Sequence, residues 1–131
     1  MLIASLPCYL KMTQTIRRQL QLLPGSITTI YPSTAIAEAI TTLLRKHSNP
    51  ELASYLTKQY KDDRFAVEYI DEKIMKFATE IFNPKGSKQN TFFDALVAGT
   101  AKTLGVEIIF SFDQWYTKLG FTLASDFAFT S

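Results

Sequence analysis

The sequence is poor in the residues that build most metal and redox sites. Its 131 residues include one cysteine, Cys8, and one histidine, His47. A single cysteine excludes an internal disulfide and is compatible with a reducing compartment. One cysteine and one histidine also cannot form a zinc site of the usual Cys/His type. Any catalytic or metal-binding group would therefore have to be built from carboxylates.

Net charge and long apolar runs are also scarce. The formal charge of +2 is too small to indicate a nucleic-acid or membrane partner by itself. No apolar run approaches the ~20 residues that a membrane span needs. The opening "MLIASLPCYLK" lacks a basic start and a small-residue cleavage site, so we expect no secretory signal. These absences favour a cytoplasmic protein without a membrane segment.

Predicted strands alternate with predicted helices through the chain, without a repeat or a linker. Residues 26–31, 64–70, 106–111 and 120–124 have strand patterns. Helix patterns separate them, with a further helix at residues 12–23. Asn49, Asp71 and Gly105 are typical helix-capping residues. We expect one domain with a three-layer α/β/α sandwich around a parallel sheet.

Three acidic residues should lie at one edge of that sheet. Glu38 lies in the helix that follows strand 26–31, and Asp113 comes two residues after strand 106–111. Asp94 lies in the first turn of the helix that feeds the latter strand. Ligands of open parallel sheets bind outside the carboxyl ends of the strands. We therefore predict that Glu38, Asp94 and Asp113 gather on one rim.

A cluster of carboxylates repels itself unless a cation neutralises it. Oxygen ligands without histidine or cysteine favour Mg²⁺ or Mn²⁺ over zinc. Such ions activate water and stabilise charge in phosphoryl chemistry. The acids therefore point to metal-assisted phosphoryl chemistry.

Two stretches resemble PIN-domain nucleases, the class that includes VapC-type toxins. "NTFFDALVAGTAKTLGVEIIFSFDQWYTKLGF" is similar to the closing half of that family, where an acid opens a helix, a strand follows and a second acid ends it. "YPSTAIAEAITTLLRK" is similar to the family's acid-bearing helix after the second strand. The resemblance covers residues 26–124.

The resemblance implies an Mg²⁺- or Mn²⁺-dependent ribonuclease, with Glu38, Asp94 and Asp113 as catalytic metal ligands. Ser111 stands where the family often has a hydroxyl near the site. Lys85 and Lys88, in the loop before Asp94, are candidates for contacts with RNA phosphates. The resemblance further implies an RNA substrate, an antitoxin protein as a partner, and a homodimer.

The chain departs from the family at its beginning. PIN domains start with a central strand that ends in an aspartate, whereas no Asp or Glu precedes Glu38 here. "MLIASL" resembles the apolar run after that strand, so we expect the central strand and its acid to be missing from an N-terminally truncated domain. Either an upstream start supplies both, or the chain is a remnant. In either case this chain should be weakly active or inactive.

Each acid also has a plain structural interpretation. Glu38 could be a solvated glutamate on a helix, Asp94 a favourable charge at a helix N-terminus, and Asp113 a turn residue. The competing function is accordingly a non-catalytic PIN-like module for dimerisation or for binding antitoxin or RNA. A serine or cysteine hydrolase is poorly supported, because no nucleophile stands with a suitable histidine.

Overall fold

The computed structural model describes residues 2–4, 28–124 and 126. The predicted helix at residues 12–23 lies outside the described residues. The described part of the chain forms five strands and five helices. The strands are β1 (Leu2–Ala4), β2 (Thr29–Pro32), β3 (Ala66–Glu68), β4 (Ile108–Phe110) and β5 (Thr122–Leu123). The helices are α1 (Ser33–Arg45), α2 (Pro50–Lys61), α3 (Glu72–Ile81), α4 (Phe92–Leu104) and α5 (Trp115–Lys118).

The five strands form one sheet in the order β3-β2-β1-β4-β5. Every neighbouring pair is parallel. Parallel neighbours need crossover connections, and in the described residues helices lie between β2 and β3, between β3 and β4, and between β4 and β5. The predicted α/β fold around a parallel sheet is therefore confirmed.

The prediction that the central strand is missing is wrong. Leu2–Ala4 occupies the centre of the sheet, where Leu2 pairs with Thr29 on one side and with Ile108 on the other. A run of three residues suffices because ladders on both edges satisfy its backbone groups. The strand ends without the acid that the family places there, because Ser5 follows Ala4 in the sequence.

Local capping signals fix most helix boundaries where the sequence placed them. Asn49 Oδ1 accepts a hydrogen bond from Leu52 N at 3.1 Å, and Asp71 Oδ1 accepts one from Ile74 N at 2.8 Å. Both bonds satisfy amides that a helix start leaves unpaired. Gly105 ends α4 with a φ of 67°, in the left-handed region that glycine tolerates best.

The core forms around α4 and around the pair α1 and α2. One cluster joins α4 to β4, β5 and α5; its buried residues are Val97, Ala98, Ala101, Val106, Ile109, Tyr116 and Leu123. A second cluster joins α1 to α2 through Ile36, Ala39, Leu43, Ala53 and Leu56. Among the described residues, no helix is both long and apolar enough to cross a membrane.

Close contact between α3 and α4 positions the start of α4. Gly99 of α4 faces the backbone of α3, and a Cβ atom at this glycine would lie 3.1 Å from the Ile74 carbonyl oxygen. Ala78 and Ala95, both fully buried, belong to the same contact. Small residues let the two helices approach, so the helix carrying Asp94 is held firmly against its neighbour.

Candidate acidic site

The candidate site lies where the strand order reverses. From β1 the chain adds β2 and β3 on one side of the sheet, then returns to place β4 on the other side of β1. Clefts at such a reversal, outside the carboxyl ends of the strands, are the usual ligand sites of open parallel sheets. Glu38 follows β2 and Asp113 follows β4, so both acids lie at this edge.

Hydrogen bonds hold both the carboxylate and the backbone amide of Asp113. Asn90 Nδ2 donates to Asp113 Oδ2 at 2.7 Å, and the backbone amide of Trp115 donates to Oδ1 at 2.9 Å. The amide of Asp113 itself donates to Ser111 Oγ at 3.0 Å. The buried Ser111 therefore positions the backbone of Asp113, and the carboxylate is oriented by a loop side chain and by the start of α5.

Asp94 is half-buried and lies in the first turn of α4. Its Oδ2 accepts a hydrogen bond from the Thr91 amide at 2.9 Å, which is the reciprocal half of a capping box. Tyr116, whose ring is fully buried, places its hydroxyl 3.4 Å from Asp94 Oδ1. A buried tyrosine needs a partner for its hydroxyl, and here that partner is an acid of the site.

Burial and mutual repulsion raise the pKa values of two of the acids. The pKa of Asp94 is raised mainly by burial and further by the charge of Asp113, against the lowering effect of the Thr91 and Tyr116 hydrogen bonds. The pKa of Glu38 is raised by burial and by the charge of Asp94, and Lys46 opposes this rise. The charge of Asp94 therefore raises the pKa of Glu38, and the charge of Asp113 raises the pKa of Asp94.

The carboxylates of Glu38, Asp94 and Asp113 do not form a complete metal-binding site. Among the described residues, no three His, Cys, Asp or Glu side chains converge closely enough to hold a metal ion by themselves. In the sheet β1 separates β2 from β4, and two strand spacings amount to about 10 Å. The residue that follows β1 in the sequence is Ser5, which is not an acid.

The two lysines singled out in the sequence, Lys85 and Lys88, are both exposed in the loop between α3 and α4. The residue of that loop that reaches the site is Asn90, which sequence reasoning missed. Sequence reasoning also missed the role of the Tyr116 hydroxyl. Both contact acids more than twenty positions away in the chain, so no local pattern indicates them.

Comparison with known proteins identifies the fold family. The PIN domain model matches residues 11–121, which is most of the chain. The chain belongs to the PIN domain family. A crystal structure of VapC20 from Mycobacterium tuberculosis, a toxin that cleaves the sarcin–ricin loop, superposes with a TM-score of 0.72. That match has 13% sequence identity and covers 93% of this chain and 97% of VapC20, so the two share a fold. No curated protein matches the sequence.

Proposed function

We propose that this PIN domain is a metal-dependent endoribonuclease of weak activity, with Glu38, Asp94 and Asp113 as its metal-binding acids. The observation that supports this best is the placement of Glu38 and Asp113 after two strands of one parallel sheet, with Asp94 in the first turn of the helix before β4. Carboxylates that are half-buried among like charges cost stability, and a site for a cation explains why they are retained. Membership of the PIN family supports the same reaction class.

The residues present fit Mg²⁺ or Mn²⁺ in chemistry and in charge. The donors are carboxylate oxygens, which hard divalent cations prefer. A cation would also favour the ionised forms of Glu38 and Asp94, whose pKa values burial and repulsion raise. Mg²⁺ commonly uses one or two protein carboxylates, with water and substrate phosphates completing its shell. An incomplete set of protein ligands therefore suffices for weak binding.

When bound, the cation would activate water and neutralise charge on the phosphate during hydrolysis. The protein's own contribution is to hold its acids in place. Tyr116 and Thr91 orient the two oxygens of Asp94. Asn90 and the Trp115 amide orient Asp113. Acids held in this way need little reorganisation during the reaction.

The proposed weakness rests on the residue after β1. Ser5 follows β1 in the sequence, whereas the family's first strand ends in an aspartate. A serine hydroxyl is a neutral ligand, so the site would carry one negative charge fewer and would bind a cation less tightly. We infer lower activity than a PIN domain with the full set of acids.

The remaining parts of the proposal concern partners. We propose single-stranded or structured RNA as the substrate and an antitoxin protein as the regulator, since VapC20 is a toxin. A homodimer in the cytoplasm completes the proposal. Lys85 and Lys88 remain candidates for contacts with phosphates, because both are exposed next to the loop end that carries Asn90.

A non-catalytic binding module is the competing function. Both oxygens of Asp113 accept hydrogen bonds from the protein, so this acid is satisfied without an ion. No Asp or Glu follows the first strand before Glu38 either. A PIN-like fold with these features could serve as a binding surface alone.

Calorimetric titration with Mn²⁺ and cleavage of single-stranded RNA separate the two functions. The nuclease proposal expects Mn²⁺ binding that Asp94→Asn weakens at least about tenfold, together with cleavage that Asp94→Asn and Asp113→Asn abolish. Asp62→Asn, which removes an exposed acid beyond the end of α2, is the matched control and should change neither. Absence of Mn²⁺ binding in the parent protein would favour the binding module. RNA cleavage that survives in both site variants would refute these acids as catalytic residues.

A further inference from the structure

A cavity of about 280 Å³ opens between α1 and the first turn of α4, beside the acidic site. Its lining includes Glu38, Thr41, Thr42, Arg45, Lys46 and Phe93. Glu38 belongs to the proposed metal site, whereas the other five have no part in it. We call this space the α1 cavity.

The charge of the side chains that line the α1 cavity changes from negative at one end to positive at the other. Glu38 lies at one end, and Arg45 follows two helical turns later, about 10 Å along the axis. Arg45 and Lys46 are exposed, and in the described part of the chain neither forms a salt bridge. Lys46 is still close enough to Glu38 to oppose the rise of its pKa. An anionic group would therefore be repelled at the Glu38 end and attracted at the Arg45 and Lys46 end.

Phe93 supplies an aromatic surface on the opposite side of the cavity. Its side chain is 46% exposed, although the following residue, Asp94, is half-buried in the acidic site. Exposure of a phenylalanine costs hydrophobic free energy that burial would recover. An aromatic side chain beside cationic groups is the usual arrangement for binding single strands, where bases stack on the ring and phosphates contact lysine or arginine.

We propose that the α1 cavity binds the RNA strand next to the scissile phosphate: Phe93 stacks on a base, and Arg45 and Lys46 bind the backbone phosphate beyond it. This deepens the proposed nuclease function and rests on it for the position of the scissile bond. Thr41 and Thr42, which also line the cavity, would contact the ribose of the same strand. The RNA strand would then lie along α1, with its phosphates on the side away from Glu38.

The test measures binding in EDTA, where hydrolysis cannot contribute. The probes are a fluorescein-labelled oligouridylate and an abasic ribose–phosphate strand of the same length. Arg45→Gln and Lys46→Gln should each weaken binding of both strands several-fold and reduce the salt dependence by about 0.7 per lost phosphate contact. Phe93→Leu should weaken oligouridylate binding by about tenfold and leave abasic binding unchanged, whereas Phe93→Tyr should retain both.

Matched controls are Lys58→Gln and Tyr55→Ala, which remove an exposed cation and an exposed aromatic ring from α2. Both should bind the probes like the wild type. Circular dichroism melts of all variants check that folding is preserved, because basic residues in the last turn also stabilise a helix.

The outcomes separate this inference from the nuclease proposal. If Asp94→Asn abolishes cleavage but the cavity variants bind RNA like the wild type, the α1 cavity is not the RNA site and the nuclease stands. If the wild type never cleaves RNA yet the cavity variants lose binding, the RNA site stands without the nuclease. Failure of the wild type to bind either strand would overturn the inference, as would capture of a polyglutamate peptide in place of RNA.

Discussion

The side-chain amide of Asn90 donates a hydrogen bond of 2.7 Å to Asp113 Oδ2 and so joins residues 23 positions apart. Asn90 is the last loop residue before the Thr91 cap of α4, and Asp113 comes three residues after the end of β4. The bond therefore ties the start of one helix to the carboxyl end of a neighbouring strand. It fixes one side of the acidic site.

Replacing Asn90 by aspartate should exchange this donor for a fourth carboxylate at the site. Without metal, the new charge repels Asp113, and we expect the melting temperature in EDTA to fall by about 3–6 °C. With Mn²⁺ present, the added oxygen ligand should make the metal-induced rise in melting temperature larger than that of the wild type.

Asn90→Ala is the matched control, because it removes the donor without adding charge. It should lower the melting temperature in EDTA and gain no additional stabilisation from Mn²⁺. An equal response of the two variants to Mn²⁺ would show that position 90 does not face the ion.

The raised pKa values of Glu38 and Asp94 predict a specific pH dependence of stability in EDTA. Both acids hold protons more tightly in the folded than in the unfolded protein, so folding takes up protons between the ordinary and the raised values. Stability from these groups is therefore fully present below the ordinary carboxyl pKa of about 4 and decreases as pH rises through the raised values.

Urea unfolding measured from pH 4 upward in small steps, at about constant ionic strength, checks this slope. Glu38→Gln and Asp94→Asn should each flatten the decrease and should make the metal-free protein more stable than the wild type at neutral pH. Glu80→Gln, on the exposed face of α3, is the control for loss of an acid elsewhere. A slope that is unchanged in both site variants would contradict burial and repulsion as its cause.

Gly99 and Gly105 should respond to substitution for different reasons. Gly99→Ala places a Cβ atom 3.1 Å from the Ile74 carbonyl oxygen, and we expect a loss of about 1–2 kcal/mol after the gain in helix propensity. Gly105 has open space but a φ of 67°, so Gly105→Ala should cost about 1 kcal/mol through backbone strain.

The denaturation midpoints of these variants test the two causes separately. Asparagine tolerates the left-handed region better than alanine, so Gly105→Asn should recover part of the loss. Gly99→Ser should be at least as destabilising as Gly99→Ala. Whatever the result at position 105, an unchanged midpoint for Gly99→Ala would disprove tight packing between α3 and α4.

Ser5→Asp should strengthen the proposed site. The substitution supplies the acid that PIN domains carry after their first strand, and an added carboxylate raises affinity for a hard cation. We expect Mn²⁺ affinity to rise by about tenfold or more and RNA cleavage to increase. Ser5→Asn, nearly isosteric but uncharged, is the control. If both variants bind Mn²⁺ like the wild type, the missing acid is not what weakens the site.

Local signals explain the parts of this structure that the sequence predicted. Asn49, Asp71 and Gly105 act through hydrogen bonds or backbone angles within a few residues, so their patterns can be read directly. The strands were predicted too long, as at residues 64–70, where only Ala66–Glu68 pairs. Apolar alternation continues beyond the residues that form the ladder, and pairing depends on the neighbouring strand.

Non-local effects explain what the sequence missed. A three-residue strand such as Leu2–Ala4 has no periodicity of its own and is defined by its two neighbours. Tyr55 is 56% exposed although it is aromatic, so an apolar side chain in α2 does not by itself indicate the buried face. Asn90 and Tyr116 reach the acids only through the tertiary fold.

Asp94 caps α4 and at the same time faces the other acids. Ligand binding at the acidic site and fraying of the first turn of α4 are therefore coupled through the Asp94 side chain. A ligand that relieves the repulsion on Asp94 should slow hydrogen exchange of the Thr91 amide, which donates to Asp94, and of the first amides of α4. Hydrogen exchange in the first turn of α4 would therefore report ligand binding at the acidic site.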